Sequence, residues 1–369
     1  MKSFMDLFDD CTSQGTKIKT DEYLENGKYA IVDQGQNDIA GYTNIEDGVY
    51  ENIPAIIFGD HTRAIKYINT PFFLGADGVK LLKAKDVEAN YKYLYYALRN
   101  AKIPNTGYNR HYKWLKEVRI EYPNKEKQKE VVEILDKIEL IMNNRKQQLH
   151  QFDTLIKARF VEIFGDMWNP NCIYYRCELI ETCKKSDDIK CGPFGTQLNK
   201  DEYQENGVAV WEIPQINSGF AVKPIHYLTK EKAEFLKEYS LIPGDIAMSR
   251  KGNVGQCGLF PDKYSPGIIH SDVLRIRVDN NRVNPYFMMC QLHFSSDVRY
   301  QIAMVSSGAV MAGINVTKLK HIKVYLPDIE LQNQFAEFVK ATDKSKAAIQ
   351  KTLDETQLLF DSLMQKYFG

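Results

Sequence analysis

The sequence predicts an α+β fold: two globular α/β domains separated by a pair of long antiparallel coiled-coil helices, with a pseudo-twofold internal repeat. Three observations predict it: a length of 369 residues, a segment that recurs along the chain, and two long helical patterns. A chain of this length is about two and a half times the usual domain size, so two domains are expected. The predicted boundaries are 1–123 for the first domain, 124–165 for the first long helix, 166–327 for the second domain and 328–369 for the second long helix.

The chain contains an internal repeat. Asp21–Gly27 returns as Asp201–Gly207 with six of seven residues identical, at an offset of 180. Farther along, Trp114–Pro123 matches Lys318–Pro327 at an offset of 204, and this offset holds to the end of the chain. The changing offset indicates that insertions are tolerated early in each repeat and not late. Each repeat therefore consists of a variable domain followed by a fixed helical support.

Short apolar runs predict the strands of the two domains. Tyr29–Val32, Ala55–Phe58 and Val273–Val278 are rich in β-branched and aromatic residues, and Gly and Pro turns separate such runs. This pattern is typical of short strands in a mixed domain.

A period of three and four residues predicts each long helix. Apolar seam residues recur in both helices, and where the first has Arg145 and Arg159 the second has Ile349 and Leu363. The predicted seam is Leu135, Ile138, Met142, Leu149, Phe152 and Ile156 with Ile349, Leu353, Phe360 and Leu363. Core helices of a globular bundle would show the same period. A helix from Glu126 to Ile163 would be roughly 57 Å long, too long for its own domain to cover, which favours the antiparallel pair.

Composition and charge restrict the class of protein. Hydrophobic residues make up 44% and charged residues 26%, as in ordinary globular chains, and Lys plus Arg equals Asp plus Glu at 48. A DNA-binding surface would therefore require basic residues to cluster on one part of the protein, since the net charge is zero. No apolar run approaches the roughly 18 residues that cross a bilayer, and Asp6, Asp9 and Asp10 interrupt any secretory signal. We expect a cytoplasmic protein without a membrane segment.

A search for catalytic and metal-binding motifs predicts none. The sequence lacks a phosphate-binding loop and a His-Glu-x-x-His pair, and the spacing of Cys172, Cys177, Cys183 and Cys191 favours free thiols over a zinc site. Asn284-Pro285-Tyr286-Phe287 is one residue from the loop of base-modifying methyltransferases, without the glycine-rich cofactor loop that such enzymes need. We expect no catalytic residue, no metal and no cofactor in this chain.

Polar loops at matched places of the two repeats are the candidate binding sites. Each loop alone is typical of ordinary solvated surface, but the recurrence of such loops at matched places favours a function. Their side chains suit DNA, since Arg, Asn and Gln can contact base edges and Lys and Ser can bind phosphates. The first repeat offers His61, Arg63, Asn105, Tyr108, Arg110 and His111. The second repeat offers Thr196, Gln197, Ser249, Arg250, Lys251, Asn253, Gln256, Ser306 and Ser307.

The order of these pieces resembles the DNA-specificity (S) subunits of type I restriction-modification systems. The match covers essentially the whole chain, and the order of its pieces, found twice over, carries the resemblance. These pieces are Cys191–Leu198, the segment from Gly244-Asp245 to Gly255, Gly59–Arg63, Gly313-Ile314-Asn315 and the helix end Arg159–Asp166. One departure is that the helix starts, Lys125–Gln128 and Ile329–Gln332, lack the adjacent Glu-Gln pair common in the family.

The resemblance implies a function without chemistry of its own. The two domains would be target recognition domains, each reading one half of a bipartite double-stranded DNA target. The helices would set the spacing and dock methyltransferase (M) subunits, expected to be two, and through them the restriction (R) subunits. S-adenosylmethionine, ATP and Mg²⁺ are expected on those partners. The alternatives are a coiled-coil adaptor without sequence preference on DNA and a self-contained modification enzyme.

Overall fold

The computed structural model describes residues 1–75, 77–107, 109–165, 172–306 and 313–369. The chain divides into two compact units. Unit 1 contains Met1–Gln147 and Gln350–Gly369, and unit 2 contains Gln148–Ile349. Each unit holds one α/β domain together with part of both long helices, so the predicted fold class is confirmed.

The first domain is built from short strands that precede and follow a nine-residue helix. Its strands are β1 (Lys2–Ser3), β2 (Phe8–Asp10), β3 (Tyr29–Val32), β4 (Gly41–Thr43), β5 (Ala55–Gly59), β6 (Ile65–Ile68), β7 (Phe72–Leu74), β8 (Val79–Ala84) and β9 (Arg119–Ile120). Its helices are α1 (Phe4–Leu7), α2 (Tyr91–Arg99) and α3 (Tyr112–Leu115), and the long helix α4 (Lys125–Phe164) follows.

The second domain repeats this plan. Its strands are β10 (Tyr175–Glu178), β11 (Ile189–Cys191), β12 (Val208–Trp211), β13 (Tyr227–Leu228), β14 (Ser240–Leu241), β15 (Ile246–Ser249), β16 (Cys257–Leu259), β17 (Gly267–Ile269), β18 (Val273–Ile276) and β19 (Lys323–Leu326). Its helices are α5 (Ile213–Asn217), α6 (Lys230–Phe235), α7 (Pro285–Phe294), α8 (Ser296–Ser306) and α9 (Val316–Lys320), followed by the long helix α10 (Ile329–Phe368).

The strand orders of the two domains match. An antiparallel sheet β2-β8-β5-β6 in the first domain corresponds to β11-β18-β15-β16 in the second. A second sheet contains one parallel pair in each domain, β3 with β7 and β12 with β17. The repeated heptapeptide forms the same feature twice, a short 3-10 turn at Thr20–Glu22 and at Lys200–Glu202, each followed by the first strand of the parallel pair. The predicted repeat is thus confirmed in three dimensions.

The central strands are buried on both faces, which explains their unbroken apolar sequences. Every residue of β5 is buried. Ile56 and Phe58 face the cluster that contains Leu94 of α2, whereas Ile57 faces a second cluster with Leu74. A strand covered on both faces shows a continuous apolar run without polar alternation, and the predicted strands Tyr29–Val32, Ala55–Phe58 and Val273–Val278 correspond to β3, β5 and β18.

Helices α4 and α10 pack together in antiparallel order. In unit 1, Lys127 lies over the ring of Tyr367 near the end of α10. In unit 2, the rings of Phe160 and Phe335 lie 5.5 Å apart, so the end of α4 meets the start of α10. Leu135, Ile138, Met142, Ile156, Leu353 and Phe360 of the predicted seam are buried, and Leu149, Phe152, Ile349 and Leu363 are half-buried.

The starts of the two long helices are capped alike, although both lack the Glu-Gln pair. The side-chain amide of Gln128 donates to the oxygen of Pro123 at 2.8 Å, and that of Gln332 donates to the oxygen of Pro327 at 2.8 Å. The side-chain oxygen of Asn124 also accepts from the main-chain NH of Lys127 at 3.0 Å. These bonds satisfy polar groups at the first turn. No helix within the described ranges is long and apolar enough to span a bilayer.

Candidate nucleic-acid interface

A hairpin loop lies at the centre of the candidate site in each domain. Residues 60–64 join β5 to β6, and residues 250–256 join β15 to β16, so the two loops occupy equivalent places in the matching sheets. In the first domain, the main-chain NH of His111 donates to the oxygen of Asp60 at 2.8 Å. The Asp60 carboxylate accepts from the main-chain NH of Tyr112 at 2.7 Å. The hairpin is thereby joined to the segment that leads into α3.

The second domain has the same connection. The main-chain NH of Ile314, just before α9, donates to the oxygen of Arg250 at 3.1 Å. The Arg250 Nε atom donates back to the Ile314 oxygen at 3.0 Å, and the Arg250 NH donates to the oxygen of Asp272 at 2.8 Å. Two loops distant in sequence therefore form one continuous surface in each domain.

Residues that follow the parallel strands support the hairpins, and the sequence analysis did not identify them. Gln34 follows β3, and its side-chain oxygen accepts from the NH of His61 at 3.3 Å. Lys66 is buried beside Asp33, with 3.4 Å between Nζ and Oδ1; burial lowers the pKa of Lys66, and the Asp33 charge opposes that effect. In the second domain, Asp272 follows β17 and pairs with Lys251 at 2.7 Å.

The predicted DNA-contacting residues differ in accessibility. Asn105, Arg110, Thr196, Gln197 and Asn253 are exposed, and His61, Arg63, Arg250, Lys251 and Gln256 are half-buried. His111, Ser249 and Ser306 are buried. Tyr108 and Ser307 lie outside the described residues.

The three buried residues require a correction to the prediction. His111 is 1% exposed, and its Nδ1 atom lies 3.0 Å from the oxygen of Asp60. The Ser249 hydroxyl donates to the side-chain oxygen of Asn217 at 3.0 Å, and the Ser306 hydroxyl donates to the oxygen of Ala303 at 2.8 Å. Buried polar groups with internal partners hold the loops together and are out of reach of a duplex. We therefore assign all three to support of the site.

Charged side chains of the loops have local partners. Lys17 donates to Asp77 at 2.6 Å, and this bond lowers the pKa of Asp77, with a smaller contribution from Arg110. Arg63 adopts a left-handed backbone conformation, with φ of 61°, and its guanidinium donates to the oxygen of Ile103 at 3.2 Å. Arg110 and Asn253 are exposed at the loop surface and are available to an external partner.

The motif that resembled a methyltransferase loop has a structural role. Asn284 caps α7, because its side-chain oxygen accepts from the NH of Tyr286 at 3.0 Å. Asn90 caps α2 in the same way, accepting from the NH of Tyr93 at 3.1 Å. Within the described part of the chain, no three His, Cys, Asp or Glu side chains are grouped so that they could hold a metal ion. The cysteines are free thiols.

Comparison with known proteins identifies the family. Residues 2–151 and 190–356 match the family described as type I restriction modification DNA specificity domain. The chain belongs to this family. The two matched segments correspond to the two repeats, each with a domain and much of the helix that follows, so the resemblance seen in the sequence is confirmed.

Individual members of the specificity family are distant from this chain in sequence. The putative type I restriction enzyme MjaX specificity subunit of Methanocaldococcus jannaschii is 27% identical over 176 residues, 46% of this chain and 40% of that relative. The EcoR124I/EcoR124II specificity subunit of Escherichia coli is 24% identical over 360 residues, 88% of this chain and 82% of that relative. A crystal structure of a type I S subunit from M. genitalium matches the fold with a TM-score of 0.59 at 18% identity, covering 100% of this chain and 95% of that chain.

Proposed function

We propose that this chain is the DNA sequence-specificity subunit of a type I restriction-modification complex, and that each domain reads one half of a bipartite target. The observation that carries the proposal is the duplicated loop site in a chain of the specificity family: the Asp60–His111 connection in one domain and the Arg250–Ile314 connection in the other. A protein with two such sites recognises two separate stretches of duplex. Catalysis then belongs to other subunits.

Exposed polar side chains of the loops supply the contacts with DNA. Arg110 and Asn105 serve the first half-site, and Asn253, Thr196 and Gln197 serve the second. Arginine and the amide side chains form paired hydrogen bonds with base edges in the major groove, at about 1–3 kcal/mol of discrimination for each good pair. Lys251, half-buried beside Asp272, is suited to a phosphate contact.

The helix pair sets the distance between the half-sites and carries the partner subunits. Leu155 and Leu359 are exposed at positions that correspond under the repeat, one in α4 and one in α10. Exposed apolar side chains at matched positions suit a partner that binds twice. We propose two methyltransferase subunits at these positions, with restriction subunits recruited through them. The methyltransferase subunits would bring S-adenosylmethionine, the restriction subunits ATP and Mg²⁺, and the complex would act in the cytoplasm.

Methylation sequencing tests the proposal. A host that expresses the chain with its methyltransferase subunit should carry one bipartite methylated motif. Asn253→Ala should relax or abolish recognition in one half of that motif only, and Arg110→Ala should act on the other half. Asn281→Ala, an exposed asparagine of the second domain outside the loops, is the matched control and should leave the motif unchanged.

Three results would contradict this function. Equal losses at both half-sites in each variant would show that the domains do not read separately. Binding of partner proteins without sequence preference on DNA would indicate the coiled-coil adaptor. Calorimetric binding of S-adenosylmethionine to the purified chain would indicate a self-contained modification enzyme.

A further inference from the structure

Phe194 is an exposed aromatic side chain beside the hairpin loop of the second domain. Its side chain is 49% exposed, and it lies in the loop that follows β11. Resting on the proposed function, we propose that Phe194 is a specificity-determining residue that contacts the 5-methyl group of a thymine in the half-site read by the second domain. Four features of the loop support this assignment.

The backbone on both sides of Phe194 is fixed. A Cβ atom on Gly192 would lie 2.4 Å from the main-chain oxygens of Ile269 and His270, so only glycine fits there. Gly195 has a φ of 57°, which L side chains rarely adopt. The NH of Phe194 donates to the side-chain oxygen of Gln197 at 3.3 Å. These constraints restrict the backbone that carries the ring, so little backbone entropy is lost when the ring meets a partner.

Arg250 holds the ring. Its guanidinium carbon lies 4.9 Å from the centroid of the Phe194 ring, within the range of a cation–π contact. The same guanidinium donates to the oxygens of Ile314 at 3.0 Å and Ser271 at 3.5 Å. Because these donors are already bonded within the protein, Arg250 acts here as a positioning residue for Phe194 and for the hairpin.

The chemistry of the ring restricts what it can recognise. Phenylalanine has no hydrogen-bonding group, and the thymine methyl is the apolar group that base pairs display in the major groove. Thr196 and Asn253 are exposed nearby in the loops of the same site and offer polar contacts to adjacent bases.

Exposed apolar residues are common on protein surfaces, but Phe194 differs from the others by lying in a loop of the candidate site. Phe235 is 72% exposed in the same domain, but it belongs to α6, outside the loops of the candidate site. The loop that follows β2 in the first domain, Cys11–Gly15, contains no aromatic residue. The thymine contact is therefore expected in one half-site of the two.

The experiment replaces each thymine of the second half-site by uracil, which removes only the methyl group. The complex of this chain with its methyltransferase subunit is titrated with each DNA by fluorescence anisotropy. At one position, uracil should weaken binding about fourfold, the factor that corresponds to loss of roughly one buried methyl group. Phe194→Ala should weaken binding of thymine DNA and abolish the difference between thymine and uracil at that position. Phe235→Ala, the matched control, should retain the difference.

Arg250→Ala tests the positioning role with the same measurement. If Arg250 merely stabilises the fold, Arg250→Ala should change the overall affinity and leave the loss of affinity caused by uracil unchanged. If Arg250 positions Phe194, the variant should reduce that loss at the same thymine.

Several outcomes would overturn the proposal while leaving the function intact. The first is a sequence-specific wild-type complex in which no uracil substitution interacts with Phe194→Ala. The second is a uniform loss of affinity on all DNAs, which would assign Phe194 to the sugar-phosphate backbone. The third is a second half-site without any A·T pair. If the wild-type complex shows no sequence preference at all, the proposed function itself fails.

Discussion

The main-chain oxygen of Asp60 accepts a hydrogen bond from the NH of His111 at 2.8 Å, and the oxygen of Arg250 accepts one from the NH of Ile314 at 3.1 Å. These bonds join equivalent hairpins to equivalent helix starts in two domains whose loops share little sequence. The repeat has kept the backbone connection while the side chains around it have diverged. Such a constant frame with variable side chains is what two readers of different sequences require.

Replacing Asp60 tests how far the first hairpin depends on this frame. Asp60→Ala removes the acceptor for the buried NH of Tyr112, now 2.7 Å from the carboxylate. An unsatisfied buried donor costs about 1–3 kcal/mol, so the free energy of unfolding should fall by that amount in urea denaturation. Asp60→Asn keeps an acceptor oxygen and should lose less. Asp77→Ala, at an exposed ion pair with Lys17, is the control and should change little.

A partly buried ion pair joins the residues that flank the start of β15 and the end of β18, away from the hairpin loop. Arg277 donates to both carboxylate oxygens of Asp245 at 2.7 Å, and the contact raises the pKa of Arg277. Burial, together with the neighbouring Arg277 charge, lowers the pKa of Arg275. Asp245→Ala should therefore leave the half-buried guanidinium of Arg277 without its paired carboxylate.

The expected cost of Asp245→Ala lies between about 1 kcal/mol, as for exposed pairs, and about 3–5 kcal/mol, as for fully buried ones, because the Arg277 side chain is 31% exposed. Thermal and urea denaturation of the chain would measure it. Glu234→Ala removes an exposed pair with Lys237 and is the matched control, expected to cost less than about 1 kcal/mol. Similar losses in both variants would mean that the Asp245 pair does not stabilise the domain.

The sequence predicted the backbone framework better than the site. Long periodic patterns located α4 and α10 because a buried stripe along a helix repeats regularly, and β5 was found because burial on both faces requires continuous apolar residues. Burial of His111 could not be predicted, since its partner Asp60 is distant in sequence. The support by Gln34 and Asp272 was missed for the same reason: each is an ordinary loop residue until the sheet forms.

A buried tyrosine joins the first domain to α4. The Tyr96 hydroxyl lies 2.6 Å from an Asp136 oxygen and 2.8 Å from a Glu139 oxygen, so the two carboxylates share its single donor proton. Burial and these carboxylates hold the pKa of Tyr96 well above its usual range, so the hydroxyl remains a donor at high pH. Tyr96→Phe should cost about 1.5–3 kcal/mol, the range for hydrogen bonds to charged groups. Urea denaturation would measure the loss, and Tyr175→Phe, at an exposed position, should show none.

Asp272 forms an ion pair with Lys251 in the second domain. The pair is 2.7 Å apart and partly exposed. Asp272→Asn should free the Lys251 ammonium to bind a phosphate, so the affinity for non-specific DNA should rise. The slope of the logarithm of the binding constant against the logarithm of the salt concentration should become steeper by about one, for one more released counterion. Titrations at several salt concentrations would measure both. Lys251→Ala should act in the opposite direction, and a flat response to Asp272→Asn would remove Lys251 from the DNA surface.

Matched insertions in the helix pair test whether it sets the spacing of the half-sites. The side chains of Asp153 and Lys346 pair at 2.6 Å, so these two residues face each other across the helix pair. Four helix-forming residues inserted after each of these two positions would add about 6 Å, which corresponds to about two base pairs at 3.4 Å each. Methylation sequencing should show both half-sites intact with a longer gap. The same insertion in α4 alone is the control, expected to destabilise the chain because the seams no longer match. A stable double insertion with an unchanged gap would show that the helices do not determine the spacing.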